Sequence, residues 1–256
     1  WSFARESGLP AMVVINKMDR ENADFAKTLG DIQSRLSNRC VAIQMPVGSQ
    51  SEFRGYVDLV TMRAYIQDVE QDVPAELKDE TLALRDKLVE VVVEIDDDLM
   101  NKYLEGTELT TAEIADAVRR ATAAGVAVPV VVSSAVKGAG IETLLDTICL
   151  SLPSPAERQV PGTGSASDAA LALVFKTTAD PFTGKISYFR VYSGEIASNS
   201  QVVNVNKGAT ERIGQLFLPL GKQQITVAKV SSGDIGAIAK LGVTAAGDTI
   251  GAKDQT

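Results

Sequence analysis

The sequence contains no histidine, only two cysteines and no long apolar run. Without histidine it lacks the commonest general base and the commonest metal ligand, and we predict no metal site. Cys40 and Cys149 both lie in apolar stretches, so we expect small buried hydrophobic residues rather than a disulfide. Since no run reaches membrane-spanning length and no secretory signal opens the chain, we expect a cytoplasmic location and no membrane partner.

The net charge of −8 is unevenly distributed. Residues 1–166 carry 26 acids and 16 bases, whereas residues 167–256 carry 7 acids and 9 bases. This excludes uniform wrapping of nucleic acid but allows a local contact by the last third. The densest acidic stretch, residues 68–116 with 16 acids and 4 bases, is either a solvated helical face or a docking surface for a basic partner.

A short apolar run, residues 11–15, ends abruptly in Asn16-Lys17-Met18-Asp19. Such a run is typical of a buried strand in a parallel sheet, and ligands bind beyond the carboxyl ends of such strands. The Asp19 carboxylate can accept hydrogen bonds from the ring N–H and exocyclic amine of guanine, a donor pair that adenine lacks. The Lys17 stem can cover the base, and the Asn16 amide can hold the loop. We therefore predict guanine recognition; the alternative is a polar loop without a ligand.

The segment after this loop has a helical pattern, then strand patterns, then helical patterns again. Residues 23–125 combine a helical stretch to about Asn38, three strand patterns and further helices, so we predict an inserted α+β subdomain. Asp97 and Thr110 are predicted helix caps, the latter with a capping box to Glu113. The predicted strands are residues 41–47, 53–60 and 62–67.

The buried-strand pattern returns at residues 128–132 and again ends in small polar residues, Ser133-Ser134-Ala135. Apolar residues then follow at helical spacing, which predicts a strand, a loop and a helix. Residues 1–22 and 126–155 are therefore assigned to one parallel-sheet domain. The residues of the expected buried helical face are Ile141, Leu144, Leu145, Ile148 and Leu152.

Residues 156–168, rich in Pro, Gly and Ser, are predicted to be a linker. Short apolar runs punctuated by turn signals follow, and this spacing predicts a closed β-barrel over residues 169–252. The fold class is thus α/β, a partial parallel-sheet domain with an α+β insertion, followed by a separate all-β barrel. The predicted barrel strands are residues 171–176, 186–192, 201–205, 213–218 and 235–239.

Five motifs, in the same order and spacing, closely resemble bacterial elongation factor G. They are Asn16–Asp19 with the following Ala23-Asp24-Phe25, Ser133–Lys137, Leu152–Pro155, Asp180–Lys185 and Phe189–Gly194. The resemblance implies the second half of a P-loop GTPase domain with its insertion, then the second, barrel domain.

The resemblance also implies roles for the second loop. The backbone N–H of Ala135 would contact guanine O6 and Ser134 would brace the Asp19 loop, with Ser133 beside them in the pocket. The alternative is an ordinary cap between a strand and a helix, where serine is favoured. Ser133–Gly138 and Leu218–Lys222 depart from the usual elongation factor G sequences, and together with the absence of histidine they indicate an elongation factor G-like paralogue.

A Gly-x-x-x-x-Gly-Lys-Ser/Thr phosphate-binding loop does not occur in the 256 residues. We therefore expect a fragment without catalytic residues or a Mg²⁺ site, inactive by itself, whose parent binds GTP or GDP. By resemblance, the parent is a GTPase that drives translocation or recycling on the ribosome; the alternative is a regulatory factor similar to the tetracycline-resistance ribosome protection proteins. The implied partners are ribosomal RNA, through the barrel, and the ribosomal stalk protein, through the acidic insertion. The barrel residues considered for RNA contact, which ordinary solubility also explains, are Lys185, Arg190, Lys207 and Arg212.

Overall fold

The computed structural model of the chain describes residues 1–67, 69–155, 157, 169–181, 183–221 and 223–252. These residues form two compact units, Trp1–Pro153 and Ser154–Thr256. The predicted linker, residues 156–168, lies outside the described residues apart from Glu157. None of the helices in these described ranges combines the length and apolar composition that a membrane crossing requires.

The first unit mixes helices with two kinds of sheet. Its helices are α1 (Ser2–Glu6), α2 (Phe25–Arg35), α3 (Lys78–Val92), α4 (Asp97–Leu104), α5 (Thr111–Ala123) and α6 (Ile141–Ser151). Its strands are β1 (Val13–Ile15), β2 (Cys40–Ala42), β3 (Gln44–Val47), β4 (Gly55–Asp58), β5 (Arg63–Ile66), β6 (Val69–Asp72) and β7 (Val128–Val132).

The strands β1 and β2 flank β7 in a parallel sheet of order β1-β7-β2. Every residue of β7 is buried, as expected for a strand covered on both faces, and its bounds confirm the prediction for residues 128–132. Val13 pairs with Val130, and Ile15 pairs with Val132. Because β1 and β7 are parallel and in register, they end side by side.

A second, antiparallel sheet has the order β3-β4-β5-β6 and lies within the predicted insertion, residues 23–125. The strand β2 is also in this range, yet it pairs with β7 in the parallel sheet. Between β2 and β3, the N–H of Ile43 donates to the carbonyl oxygen of Val130 at 3.0 Å. One hydrophobic core, running from Ile15 to Val132, contains residues of both sheets. The limits of the insertion therefore stay a prediction from sequence.

The helix caps follow the sequence closely. The Thr110 hydroxyl accepts from the N–H of Glu113 at 3.2 Å, and the Glu113 carboxylate accepts from the N–H of Thr110 at 2.9 Å. This confirms the capping box. The cap predicted at Asp97 is wrong by one residue, because the Asp96 carboxylate accepts from the first N–H groups of α4.

The buried face of α6 differs from the predicted one. Leu144 packs against the core, but Leu145 and Ile148 are 56% and 38% exposed. Thr147 and Ser151 are buried instead. Residues 144, 147 and 151 share one face of a 3.6-residue turn, so two small hydroxyl residues take the inward positions that apolar spacing had assigned to larger ones.

The two cysteines have different surroundings. Cys40 in β2 is fully buried, as expected. Cys149 is exposed, so the expectation of burial was wrong for this residue. It lies on the outward side of α6, where the neighbouring apolar residues are exposed as well.

The second unit is entirely antiparallel in its described residues. Its strands are β8 (Leu171–Asp180), β9 (Gly184–Ser193), β10 (Glu195–Ala197), β11 (Gln201–Asn204), β12 (Ala209–Arg212), β13 (Leu216–Leu220), β14 (Gln223–Val227), β15 (Lys229–Ser231), β16 (Ile235–Ala239) and β17 (Thr249–Gly251).

Eight of these strands follow one another in the order β12-β11-β17-β8-β9-β16-β13-β14. The connection from β12 to β13 is only residues 213–215, although the two strands lie near opposite ends of this order. Since the four Cα–Cα steps from Arg212 to Leu216 span at most about 14 Å even when extended, the sheet must curl until these two strands lie near each other. The N–H of Asn199, just before β11, donates to Gly214 O in this connection at 3.0 Å. The all-β prediction is confirmed.

Candidate functional site

The site lies where β1 and β7 end. Asn16 follows Ile15 directly, and Ser133 follows Val132 directly, so the paired ends place residues 16–19 (the Asn16 loop) beside residues 133–137 (the Ser133 loop). The N–H of Ser133 donates to Ile15 O at 3.0 Å, and the N–H of Met18 donates to Ser133 O at 3.3 Å. All six residues predicted for guanine recognition are therefore in these two adjoining loops.

The Asn16 side chain joins the two loops. Its Oδ1 accepts from the backbone N–H of Lys17 at 2.7 Å and of Ala135 at 3.1 Å. It also accepts from the Ser133 hydroxyl at 3.3 Å. One side-chain oxygen thus fixes both its own loop and the neighbouring one, which is the holding role expected of this amide.

The Asp19 carboxylate is prepared to accept hydrogen bonds. The Ser134 hydroxyl donates to its Oδ1 at 2.6 Å. That bond, with smaller effects of the Arg20 and Lys137 charges, holds the pKa of Asp19 below its usual range despite partial desolvation. The group is therefore ionised at neutral pH and acts only as an acceptor, with Oδ2 no closer than 3.8 Å to the Arg20 Nε. Two oxygens of this kind match the two adjacent N–H donors of guanine.

Lys17 and Ala135 complete the predicted set. Lys17 is exposed and has a left-handed backbone conformation, with a φ of 66°. The next residue, Met18, is buried and anchors the loop in the core. The Ala135 N–H, which the resemblance assigns to guanine O6, donates to Asn16 in this structure. Contact with O6 would require this N–H to be shared with Asn16 or to turn away from it.

Three residues outside the two loops, Gln50, Ser51 and Phe53, bond to them and were not among the predicted site residues. The N–H of Gln50 donates to Met18 O at 3.0 Å. The Lys137 ammonium donates to Ser51 O and Phe53 O, each at 3.2 Å. Ser51 and Phe53 are more than eighty residues away from Lys137 in the chain, so no local sequence pattern predicts this contact.

Within the ranges that the structure describes, no group of three or more Asp, Glu or Cys side chains converges as a metal site would require. The chemistry that these residues offer is hydrogen bonding by Asn16, Ser134 and an ionised Asp19.

Comparisons with known proteins identify two domains in the chain. Residues 1–154 match the family Elongation factor Tu GTP binding domain, and residues 169–253 match Elongation factor G domain 2. A GTP-binding domain followed by this β-domain defines a translational GTPase. The chain belongs to the elongation factor G family.

A solved structure adds to this result. A protein from Thermus thermophilus has a crystal structure that superposes with a TM-score of 0.85 at 30% sequence identity. The match covers 100% of this chain and 38% of that protein. The chain therefore spans well under half the length of this relative.

Proposed function

We propose that the chain is the guanine-recognising part and second domain of a cytoplasmic elongation factor G-like GTPase that acts on the ribosome. The observation that carries this proposal is the pairing of an ionised Asp19 with Ser134 at the ends of two adjacent parallel strands. In the whole protein, GTP would bind with its base between the Asn16 and Ser133 loops. GTP hydrolysis would then drive translocation or recycling.

Ribosomes are expected to raise GTP turnover by the full-length protein by more than about tenfold, because phosphoryl transfer depends on how its parts are positioned by a partner. The 256-residue chain alone is expected to show no turnover above a buffer blank with Mg²⁺, since it has no Gly-x-x-x-x-Gly-Lys-Ser/Thr loop. Two assays then separate the two roles. Toeprinting measures movement along messenger RNA, and light scattering measures separation of the ribosomal subunits. A full-length protein whose GTP turnover rate is the same with and without ribosomes would contradict the proposal.

The ribosomal stalk protein is proposed as the partner of the acidic insertion. Several acids in residues 68–116 pair with bases of the same unit, as Asp96 and Asp116 do with Arg120. Others remain on the surface: Asp79, Asp86 and Glu90 are exposed, and their spacing puts them on one face of α3. These three acids form a negative stripe on this face, which suits a basic surface.

We expect binding to the isolated stalk protein to be weak and to fade as salt is added, because exposed charges are screened beyond about 8 Å at physiological ionic strength. Changing Asp79, Asp86 and Glu90 together to lysine should abolish it. The matched control changes Glu142 and Asp146, two exposed acids of α6 outside the acidic stretch. If calorimetry at low salt finds equal affinity for both variants and the parent, the stripe is only a solvated surface.

Ribosomal RNA is proposed as the partner of the barrel. Of the four bases considered from sequence, Lys207 donates to Asp248 at 2.6 Å, and Lys185 donates to Thr244 O. Arg190 lies over the Tyr192 ring, 5.3 Å from its centroid. These contacts hold three of the bases in fixed positions, and a phosphate would have to be shared with them.

A further inference from the structure

We infer that Lys137 is a positioning residue for guanine recognition, which it serves by joining both recognition loops to a rigid turn of the insertion. The inference rests on the proposed function above, since it concerns the same base site. The turn comprises residues 48–53 and is called here the insertion turn. It lies between β3 and β4.

The insertion turn is rigid for local reasons. Gly48 has a φ of +77°, and a Cβ there would overlap the Glu52 carbonyl oxygen, so the tight geometry requires glycine. Residues Gln50–Glu52 form a single 3₁₀ turn, and the Phe53 side chain is anchored in the core at 2% exposure. The N–H of Arg54 donates to Val47 O at 3.1 Å and closes the turn at its base. The backbone carbonyls of this turn are therefore fixed points.

The insertion turn holds each loop separately. Its Gln50 N–H donates to Met18 O at 3.0 Å and so fixes the Asn16 loop. The Lys137 ammonium reaches back to Ser51 O and Phe53 O, each at 3.2 Å, and fixes the Ser133 loop. A cation that bonds two carbonyl oxygens makes charge-assisted contacts, which are stronger than neutral ones.

These bonds close a ring through the carboxylate that would read the base. The backbone N–H of Lys137 donates to the Ser134 hydroxyl at 3.3 Å, and that hydroxyl donates to Asp19 Oδ1 at 2.6 Å. Asp19 follows Met18, which leads back to the insertion turn. Removing the ammonium would open the ring between the Ser133 loop and the insertion turn, and would leave Ser134 and Asp19 less well fixed.

Packing would not replace the lost bonds. Lys137, Ser51 and Phe53 line a cavity of about 500 Å³, so the space beside the ammonium is not filled by other side chains. Lys137 itself is exposed, and its loss is therefore expected to leave the fold intact. The consequence should fall on the precision of base recognition rather than on stability.

The test compares GDP with inosine diphosphate, which lacks the exocyclic amine that Asp19 would accept, in the full-length protein. The parent should prefer GDP, and Lys137→Met should reduce that preference by about tenfold, because small displacements of a recognition group are costly. Lys137→Arg should restore most of it, since a guanidinium can donate to both carbonyls. Lys87→Met is the matched control, because Lys87 is an exposed lysine of α3 away from the site.

Thermal unfolding is measured for every variant. A Lys137→Met protein that melts earlier but keeps the parent's ratio of GDP to inosine diphosphate affinity would overturn the inference and leave the proposed function standing. A parent that binds both nucleotides equally would overturn the guanine assignment, and this inference with it. A reduced ratio in Lys137→Met with unchanged melting, restored by arginine, supports the positioning role.

Discussion

Replacing Asp19 by asparagine is expected to convert the full-length protein from a GTP-binding into a xanthosine triphosphate-binding protein. The Ser134 hydroxyl can still donate to the remaining side-chain oxygen, as it does to Asp19 Oδ1 at 2.6 Å, so the loop should keep its shape. The new amide places a donor where guanine presents its own amine. Xanthine carries a carbonyl at that position, which the amide can satisfy. When the donors and acceptors of a preformed site no longer match a ligand, the preference between two ligands can change by a factor of about 10⁴ in favourable cases.

Asp24→Asn provides the matched control for this substitution. Asp24 is five residues further along and caps α2, accepting from the N–H of Lys27 at 3.0 Å. Asparagine caps helices as well as aspartate does, so the control should leave both nucleotide affinities unchanged. Competition binding with the two triphosphates measures the exchange. If Asp19→Asn retains GTP affinity and gains none for xanthosine triphosphate, Asn16–Asp19 is a structural loop and the guanine assignment fails.

The sequence predicted the two loops of the site because each directly follows an apolar strand. The strand β7 is buried throughout, whereas β1 is less buried than predicted, since only Ile15 is buried and Val14 is 38% exposed. Because Ile15 pairs with Val132, the next residues, Asn16 and Ser133, must lie side by side. The link from Lys137 to the insertion turn could not be predicted in this way. It depends on how the antiparallel sheet lies against the parallel one, and no periodicity along the chain encodes that packing.

Two of the strands that the sequence analysis missed have mostly exposed side chains. In β6, Val69–Asp72, all four residues are exposed, and in β14, Gln223–Val227, four of five are. Such edge strands are held by backbone ladders to their neighbours rather than by an apolar face, so hydrophobic alternation is absent. The predicted strand 213–218 failed at its start for another reason: Ile213 is fully buried, but it belongs to the short connection that closes the barrel.

The second prediction concerns Glu211, a carboxylate of β12 that is only 9% exposed. It accepts from the N–H of Val243 at 2.8 Å, from the N–H of Thr244 at 2.9 Å and from the Thr244 hydroxyl. Thr244 in turn accepts from the Asn204 amide at 3.0 Å. Glu211→Ala leaves these donors without their charged partner, which should cost about 3 kcal/mol. In a protein comprising residues 167–256, which we expect to unfold cooperatively on its own, this is a fall of about 15 °C in Tm.

The dependence on pH provides an independent measurement. Burial raises the pKa of Glu211, but the hydrogen bonds from Thr244 and Val243 outweigh it and leave the pKa below the usual 4.5. A carboxyl whose pKa is lower in the folded state stabilises the fold above its unfolded pKa, and this contribution is lost as pH falls through the folded pKa. Circular dichroism melts from pH 6 to pH 3 should therefore show a steeper loss of Tm below about 4.5 in the parent than in Glu211→Gln.

The control for both measurements is Glu195→Gln, which removes an exposed partner of Lys229 at 2.7 Å. An exposed ion pair contributes less than about 1 kcal/mol, so this variant should melt close to the parent at every pH. At neutral pH the Tm of Glu211→Gln should lie between those of the parent and Glu211→Ala. The glutamine amide keeps one acceptor oxygen, but its NH₂ group faces N–H donors of the loop. Equal melting of the Glu195 and Glu211 variants would mean that the loop at residues 242–244 holds its place without the carboxylate.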